Sequence, residues 1–195
     1  MIAGSARCGC APFLRRLLSL LAVITVALGV SGCAESSRAV GVAGDTVAHD
    51  SIDDGDLMVG VVGSETTTAL DSRVVDQLDD HDMRTAYSNA SGTSTPHASR
   101  LSAVRDYADR DVSVVVIMGM DFGRDRSGWT STLEYARSSG VPVVAVDASS
   151  MPTDGSLVAV DAVVRSTATS TLAQAVDDVA NNRSAGGRMA VLVEE

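Results

Sequence analysis

The middle of the chain contains the run Val112-Ser113-Val114-Val115-Val116-Ile117-Met118, which is apolar except for one serine. A strand with one face in water alternates apolar and polar residues, whereas a strand covered on both faces is apolar throughout. This run is therefore typical of a central strand in a parallel sheet. Further strand candidates begin at Leu57, Arg84 and Val141, so the four starts are 27, 28 and 29 residues apart. That spacing fits a repeated strand, helix and two connections.

The segments between these runs carry apolar stripes at helical spacing. The three stripes are Leu70, Val74 and Leu78; Leu101, Val104 and Ala108; and Trp129, Leu133 and Ala136. Thr95-Pro96 is typical of a helix start, and Gly140 followed by Pro142 is typical of a helix stop. We therefore predict an α/β fold with three layers, α/β/α, and a mostly parallel sheet in the flavodoxin-like strand order 2-1-3-4-5.

The regular alternation of strand and helix ends after the fourth strand. Residues 148–156 are too few for a full helix before the next apolar run at residues 157–164. We predict a fifth strand there, a helix over about residues 167–182 and a last strand over residues 189–193. A Gly186-Gly187 pair separates the helix from that strand. The last strand is expected either at an edge of the sheet or without a lobe to join.

The first 33 residues have the pattern of an export signal. Arg7, Arg15 and Arg16 precede an uncharged apolar stretch over residues 17–30, which is short for a membrane span of about 20 residues. The sequence Val30-Ser31-Gly32-Cys33 then resembles the lipobox of bacterial lipoproteins. The resemblance implies a signal peptide over residues 1–32, lipidation at Cys33 and a lipid anchor on the extracytoplasmic face of the cell membrane; a plain secretory signal is the alternative. The polar, aperiodic residues 33–55 are predicted to form a flexible tether.

Composition excludes several functional classes. The formal net charge of −10 over 195 residues disfavours nucleic acid as a partner. All 15 basic residues are arginine, so chemistry that needs a lysine is excluded. The three cysteines are Cys8, Cys10 and Cys33, which leaves no thiolate site in the folded region.

Catalytic and metal-binding patterns are also missing from the sequence. Gly60-Val61-Val62-Gly63 lacks the third glycine of a dinucleotide fingerprint, and no G-x-S-x-G motif occurs. The histidines at 49, 81 and 97 have no second histidine at the spacing of metal ligands. We therefore expect no enzymatic activity, no cofactor and no metal site.

The order of elements from residue 56 to residue 195 resembles the first lobe of type I periplasmic binding proteins, in the sugar-binding, ribose-like branch that serves ABC importers. The opening strand with Gly63-Ser64, the run over residues 111–117, and the segment from Leu133 to Asp147 carry the resemblance. The last of these ends in Ser139-Gly140-Val141-Pro142-Val143-Val144-Ala145-Val146-Asp147. An unrelated flavodoxin-like or Rossmann-like domain is the alternative.

The resemblance implies a substrate-binding component of a sugar-type importer, with an ABC permease and a small polar solute, a carbohydrate, as partners. The sequence departs from the family pattern in two places: Ala148 follows Asp147 where the family often has arginine, and Arg165-Ser166 stands where Asp-Asn is common. The family also continues into a second lobe, whereas this sequence reaches only the first helix and strand toward one. A one-lobe lipoprotein acting as an interaction or sensing module is therefore the alternative function.

Ligands of open parallel sheets bind outside the carboxyl ends of the strands. The residues expected there are Ser64, Glu65, Asp121, Phe122, Asp147 and Arg165. Carboxylates accept hydrogen bonds from sugar hydroxyls, arginine donates them, and an aromatic ring packs on the apolar face of a pyranose. This mixture suits a neutral polyol. The alternatives are helix caps, at Ser64 for the first helix and at Asp125 or Ser127 for the third. Arg124 is a weaker candidate, and Trp129 is expected in the core.

Overall fold

The computed structural model of the protein describes residues 57–184 and 186–194. The predicted signal peptide (1–32), the lipidation at Cys33 and the predicted tether (33–55) lie outside the described residues. Within the described part, no helix combines the length and the apolar character that crossing a bilayer requires.

Six parallel strands of the described chain form one sheet. They are β1 (Met58–Val62), β2 (Arg84–Ser88), β3 (Val114–Met118), β4 (Val143–Val146), β5 (Val160–Val164) and β6 (Gly187–Val191). Their order in the sheet is β2-β1-β3-β4-β5-β6. The predicted order of the first five strands is confirmed, and of the two placements predicted for the last strand the structure has the one at an edge, beside β5.

Four helices of the described chain cover the two faces of this sheet. They are α1 (Thr68–Asp80), α2 (Pro96–Asp109), α3 (Arg126–Ser138) and α4 (Leu172–Ala180). One buried cluster joins α1 and α4 to the sheet, and a second cluster joins α2 and α3 to it. The predicted three-layer α/β/α architecture is therefore confirmed.

Strand β3 explains why the central run is apolar throughout. Val114, Val116 and Met118 belong to the cluster beneath α1 and α4, whereas Val115 and Ile117 belong to the cluster beneath α2 and α3. Successive side chains of a strand point to opposite faces. Both faces of this strand are covered, so both sets of side chains are buried.

The structure corrects two boundaries near the carboxyl terminus. The helix predicted from residue 167 begins at Leu172, because Thr171 and Gln174 form a capping box in which each side chain accepts a hydrogen bond from the other's backbone N–H, both at 3.1 Å. The last strand begins at Gly187 rather than at Met189, since pairing with β5 already starts with Gly187 opposite Val160.

Candidate ligand-binding cleft

A cleft of about 300 Å³ lies at the carboxyl edge of the sheet. Its walls come from the connections after β1, β3 and β4 and from the amino-terminal part of α2. The lining consists of residues 64–67, Pro96, His97, Arg100, Gly119, Asp121, Arg124, Trp129, Asp147 and Ser149. The volume is at the lower end of the range of about 300–1,000 Å³ found for small-molecule pockets.

Four of the six predicted ligand residues line this cleft. Ser64 and Glu65 follow β1, Asp121 follows β3, and Asp147 follows β4. Ser64 is buried, whereas Glu65 and Asp121 are exposed. The structure thus brings together carboxylates from three separate connections.

Phe122 and Arg165 do not belong to the lining. Phe122 begins a short 3₁₀ turn (Phe122–Arg124), and its ring packs against the core cluster of α2 and α3. Arg165 is exposed after β5, where its Nη1 donates to the carbonyl of Val164 at 2.8 Å. A strand end fixes where a residue stands in the fold but not where its side chain points. Whether Phe122 and Arg165 contact a ligand therefore stays a prediction.

The connection after β1 is held by a buried carboxylate, that of Asp71 on α1. Its Oδ2 accepts hydrogen bonds from the backbone N–H of Ser64 at 3.0 Å and from the hydroxyl of Tyr87 at 3.0 Å, and its Oδ1 accepts from Thr67 Oγ1 at 2.6 Å. Burial, followed by the charge and hydrogen bond of Asp71, raises the pKa of Tyr87 to about 12. Ser64 does not cap α1, since Thr67 is the N-cap residue.

The turn after β3 packs closely on that connection. Gly119 has φ +53°, and a Cβ at this position would lie 3.2 Å from Cγ2 of Thr67. The Gly119 N–H donates to the carbonyl of Val146 at 2.8 Å. Glycine adopts this left-handed conformation without a side-chain penalty. Position 119 thus brings the connections after β1 and β3 together.

The carboxylates of Asp121 and Asp147 are each oriented by one hydrogen bond from a neighbouring segment. Asp121 Oδ1 accepts from Ser150 Oγ at 2.8 Å. Asp147 Oδ1 accepts from the N–H of Val164 at 2.9 Å. Asp147 also has φ +46°, a left-handed conformation that aspartate adopts more readily than most residues. Both side chains are thereby held at the cleft.

Helices α2 and α3 contribute an aromatic and cationic wall. Trp129 of α3 is fully buried, as predicted for a core residue, yet it also lines the cleft. The His97 ring meets it edge-on at 5.7 Å, and the Arg100 guanidinium carbon lies 5.6 Å from the ring centroid.

His97 is positioned by the N-cap of α3. Its Nε2 and Asp125 Oδ2 are 2.9 Å apart, and Asp125 Oδ1 accepts from the N–H of Gly128 at 2.9 Å. The Gly128 N–H and the His97 ring hold the pKa of Asp125 below its usual value, with a smaller contribution from the hydroxyl of Ser127. The predicted capping role of Asp125 is confirmed.

Arg100 was not among the predicted site residues. Its Nη2 donates to the carbonyl of Met118, and its buried Nε has no hydrogen-bond partner. Burial lowers the pKa of Arg100, the negative charge of Asp71 opposes this shift, and the positive charge of Arg124 adds to it. One signal was available in the sequence: Arg100 precedes Val104 by four residues and Ala108 by eight, so a charged residue stands on the apolar stripe of α2.

No group of three or more histidine, cysteine, aspartate or glutamate side chains within residues 57–184 and 186–194 is arranged to hold a metal ion. The cleft offers carboxylate acceptors and a guanidinium donor, which suit a polar organic molecule.

Among known proteins, no family model and no curated protein matches the sequence. The structure is similar to part of a periplasmic binding protein. That protein is the component of the arabinose ABC transporter from Shewanella sp. ANA-3, bound to alpha- and beta-L-arabinofuranose. The identity is 20%, the TM-score is 0.46, and the match covers 55% of this chain. It covers 34% of that protein, so the chain spans about a third of its length.

Proposed function

We propose that the chain is an extracytoplasmic, membrane-anchored solute-binding lipoprotein that binds a small carbohydrate in the cleft. In this proposal it is the substrate-binding component of a sugar-type ABC importer, and an ABC permease is its membrane partner. Anchoring would be through lipid on Cys33 after removal of residues 1–32.

The observation that carries the proposal is the convergence of separate segments on one cleft at the carboxyl edge of the sheet. Ser64, Glu65, Asp121 and Asp147 come from three connections and line the same 300 Å³ space. A parallel sheet binds its ligands at this edge because the connections there present side chains and helix amino termini to one crevice.

The chemistry of the lining supports a ligand with several hydroxyl groups. Asp121 and Asp147 each have one carboxylate oxygen held by a protein donor, and an oriented carboxylate accepts further hydrogen bonds from hydroxyl groups. Arg100 provides a guanidinium donor at the same cleft. Acceptors and a donor in one cleft match the hydroxyl groups of a sugar.

A second function remains open because one family feature is replaced. Ala148, in the place where the resembled family often has arginine, packs against the core cluster of α2 and α3. The cleft therefore lacks one donor that the family uses for sugar hydroxyls. This observation favours the alternative of an interaction or sensing module without transport.

The test is calorimetric titration of the full chain, purified from membranes, with a panel of neutral and acidic monosaccharides. We expect saturable binding of at least one sugar and a loss of at least tenfold in affinity in Asp147→Asn, which preserves the side-chain shape and tolerates the left-handed backbone. Asp80→Ala is the matched control, since this exposed residue ends α1 and does not line the cleft. Absence of binding across the panel would leave the interaction module as the better account.

The anchor is tested separately. In a host that processes lipoproteins, we expect the native protein in the membrane fraction, with an intact mass that lacks residues 1–32 and includes acyl chains. Cys33→Ser should move the protein to the soluble fraction. A wild-type protein equally soluble and free of acyl mass would refute the anchor without affecting the cleft.

A further inference from the structure

We propose that the solute carries a carboxylate group and that Arg100 is the residue that binds it, so that the ligand is an acidic sugar rather than a neutral one. This inference rests on the proposed function, because it assigns the ligand class of the same cleft.

The first observation is that Arg100 forms no ion pair with a carboxylate of the described residues. The ion pairs of the described residues join other side chains. The guanidinium is half-buried between the carbonyl of Met118 and the ring of Trp129, where Nη2 has its one hydrogen bond and Nε has none. A cation removed from water is stabilised by an opposite charge or by hydrogen-bond acceptors. A carboxylate in the cleft would supply both.

The second observation is independent of the arginine. The indole Nε1 of Trp129 is buried without a hydrogen-bond partner, although the residue is fully buried and lines the cleft. Buried indole N–H groups usually find an acceptor. The same wall thus holds two donors without acceptors; Trp129 is enclosed, so the partly exposed guanidinium of Arg100 is the group that a ligand acceptor would reach.

The helices add a positive potential at the same place. Thr66 and Thr67 stand at the amino end of α1, and Pro96 and His97 stand at the amino end of α2; all four residues line the cleft. Neither N-cap side chain accepts a hydrogen bond from its own helix. Amino termini of helices favour anions, since the backbone dipoles point toward them.

The acidic residues near Arg100 do not replace a ligand carboxylate. Asp71 already accepts hydrogen bonds from Ser64, Thr67 and Tyr87 and forms no ion pair with Arg100. Glu65 is exposed at the cleft and likewise makes no ion pair. Their charges act on Arg100 from a distance.

The other carboxylates in the cleft favour a ligand that has one negative charge and several hydroxyl groups. Asp121 and Asp147 also line the cleft, and like charges at short range repel. A phosphate with two negative charges would face both of them together with Glu65. A monocarboxylate sugar places its one negative charge at Arg100 and offers hydroxyl donors to Asp121 and Asp147.

The experiment uses matched pairs of sugars that differ only in the acid group: D-glucuronate with D-glucose, and D-galacturonate with D-galactose. Calorimetric titration of the full chain should give an affinity at least tenfold higher for the acid of at least one pair. Arg100→Gln should remove that preference, because it should lower the affinity for the acid at least tenfold more than the affinity for the neutral sugar. Arg105→Gln is the control, because Arg105 lies on the same helix but donates to Ser131 and Thr132 away from the cleft.

Each other outcome has a distinct meaning. Equal affinity for acid and neutral sugar, or an equal loss for both in Arg100→Gln, overturns the carboxylate assignment while solute binding stands. Binding of inorganic phosphate as tight as that of the acid overturns the sugar acid in favour of a bare anion site. If neither member of either pair binds while another neutral sugar of the panel does, this inference fails and the proposed function stands; if no sugar of the panel binds, both fail.

Discussion

Two walls of the cleft differ in whether their buried polar groups have hydrogen-bond partners. On the wall formed by the connection after β1, the buried carboxylate of Asp71 accepts three hydrogen bonds from its own surroundings. On the wall formed by α2 and α3, Arg100 and Trp129 each retain a buried donor without a partner. A satisfied buried group stabilises the fold, whereas an unsatisfied one weakens it. The contrast favours a structural role for Asp71 and is consistent with the binding role that we propose for Arg100.

The largest expected effect is on the satisfied wall. Asp71→Ala leaves the N–H of Ser64 and the hydroxyls of Thr67 and Tyr87 without their acceptor, and we expect the free energy of unfolding to fall by about 3 kcal/mol. Tyr87→Phe removes one of these bonds and should lower it by only about 1 kcal/mol. Urea denaturation measures both variants. Equal losses in the two would contradict the role of Asp71 as the group that holds this connection.

The next effect concerns the contact between the connections after β1 and β3. Gly119→Ala combines a left-handed backbone with a Cβ 3.2 Å from Thr67, and we expect a loss of about 2 kcal/mol in the free energy of unfolding. Gly92→Ala is the control, because Gly92 has φ +80° and no atom within 4 Å of the added Cβ. It should lose about 1 kcal/mol, which is the backbone part alone. A Gly119 variant no less stable than the Gly92 variant would show that the two connections are not tightly packed.

On the unsatisfied wall, the same kind of deletion should have little effect on stability. Arg100→Met loses one hydrogen bond and the contact of the cation with Trp129, but it also removes a half-buried charge. We expect the free energy of unfolding to change by less than about 0.5 kcal/mol, since these contributions are similar in size and opposite in sign. A loss above about 1 kcal/mol in urea denaturation, absent from Arg105→Met, would mean that Arg100 is a structural residue.

The smallest effect is a pH dependence on the same wall. The pKa of Asp125 is held below its usual value by the Gly128 N–H and by His97. The carboxylate therefore contributes stability above the unfolded pKa of about 3.9, and this contribution is lost as the pH falls below that value through the lower pKa of the folded state. Asp125→Asn retains a capping side chain. It should lower the stability slightly at pH 7, because the contribution of the charged form is lost, and give a shallower decline below about pH 4; an unchanged decline would contradict the prediction.

The sequence was sufficient for the layers, the strand order and the edge that holds the cleft. Repeated apolar runs and helical stripes depend on local periodicity, and covering both faces of a strand such as Val114–Met118 requires helices on both sides. The carboxyl-edge rule then located Ser64, Glu65, Asp121 and Asp147 at one place.

The remaining features depend on contacts that local pattern does not encode. Asp121 and Phe122 are adjacent in the sequence, yet only Asp121 lines the cleft while Phe122 packs on the core. The role of Arg100 depends on Trp129, which comes 29 residues later, and on the packing of α2 against α3. The boundary at Leu172 was missed because the capping box at Thr171 was not recognised in the sequence.

The central claim is that a carbohydrate binds in this cleft, and Trp129 reports on it directly. It is the chain's single tryptophan and lines the cleft, so a fluorescence titration of the full chain with neutral and acidic monosaccharides observes the cleft alone. The account predicts a saturable change in Trp129 emission for at least one sugar, weakened at least tenfold in Asp147→Asn and retained in Asp80→Ala. Unchanged emission with every sugar, or a change that Asp147→Asn does not weaken, would contradict it.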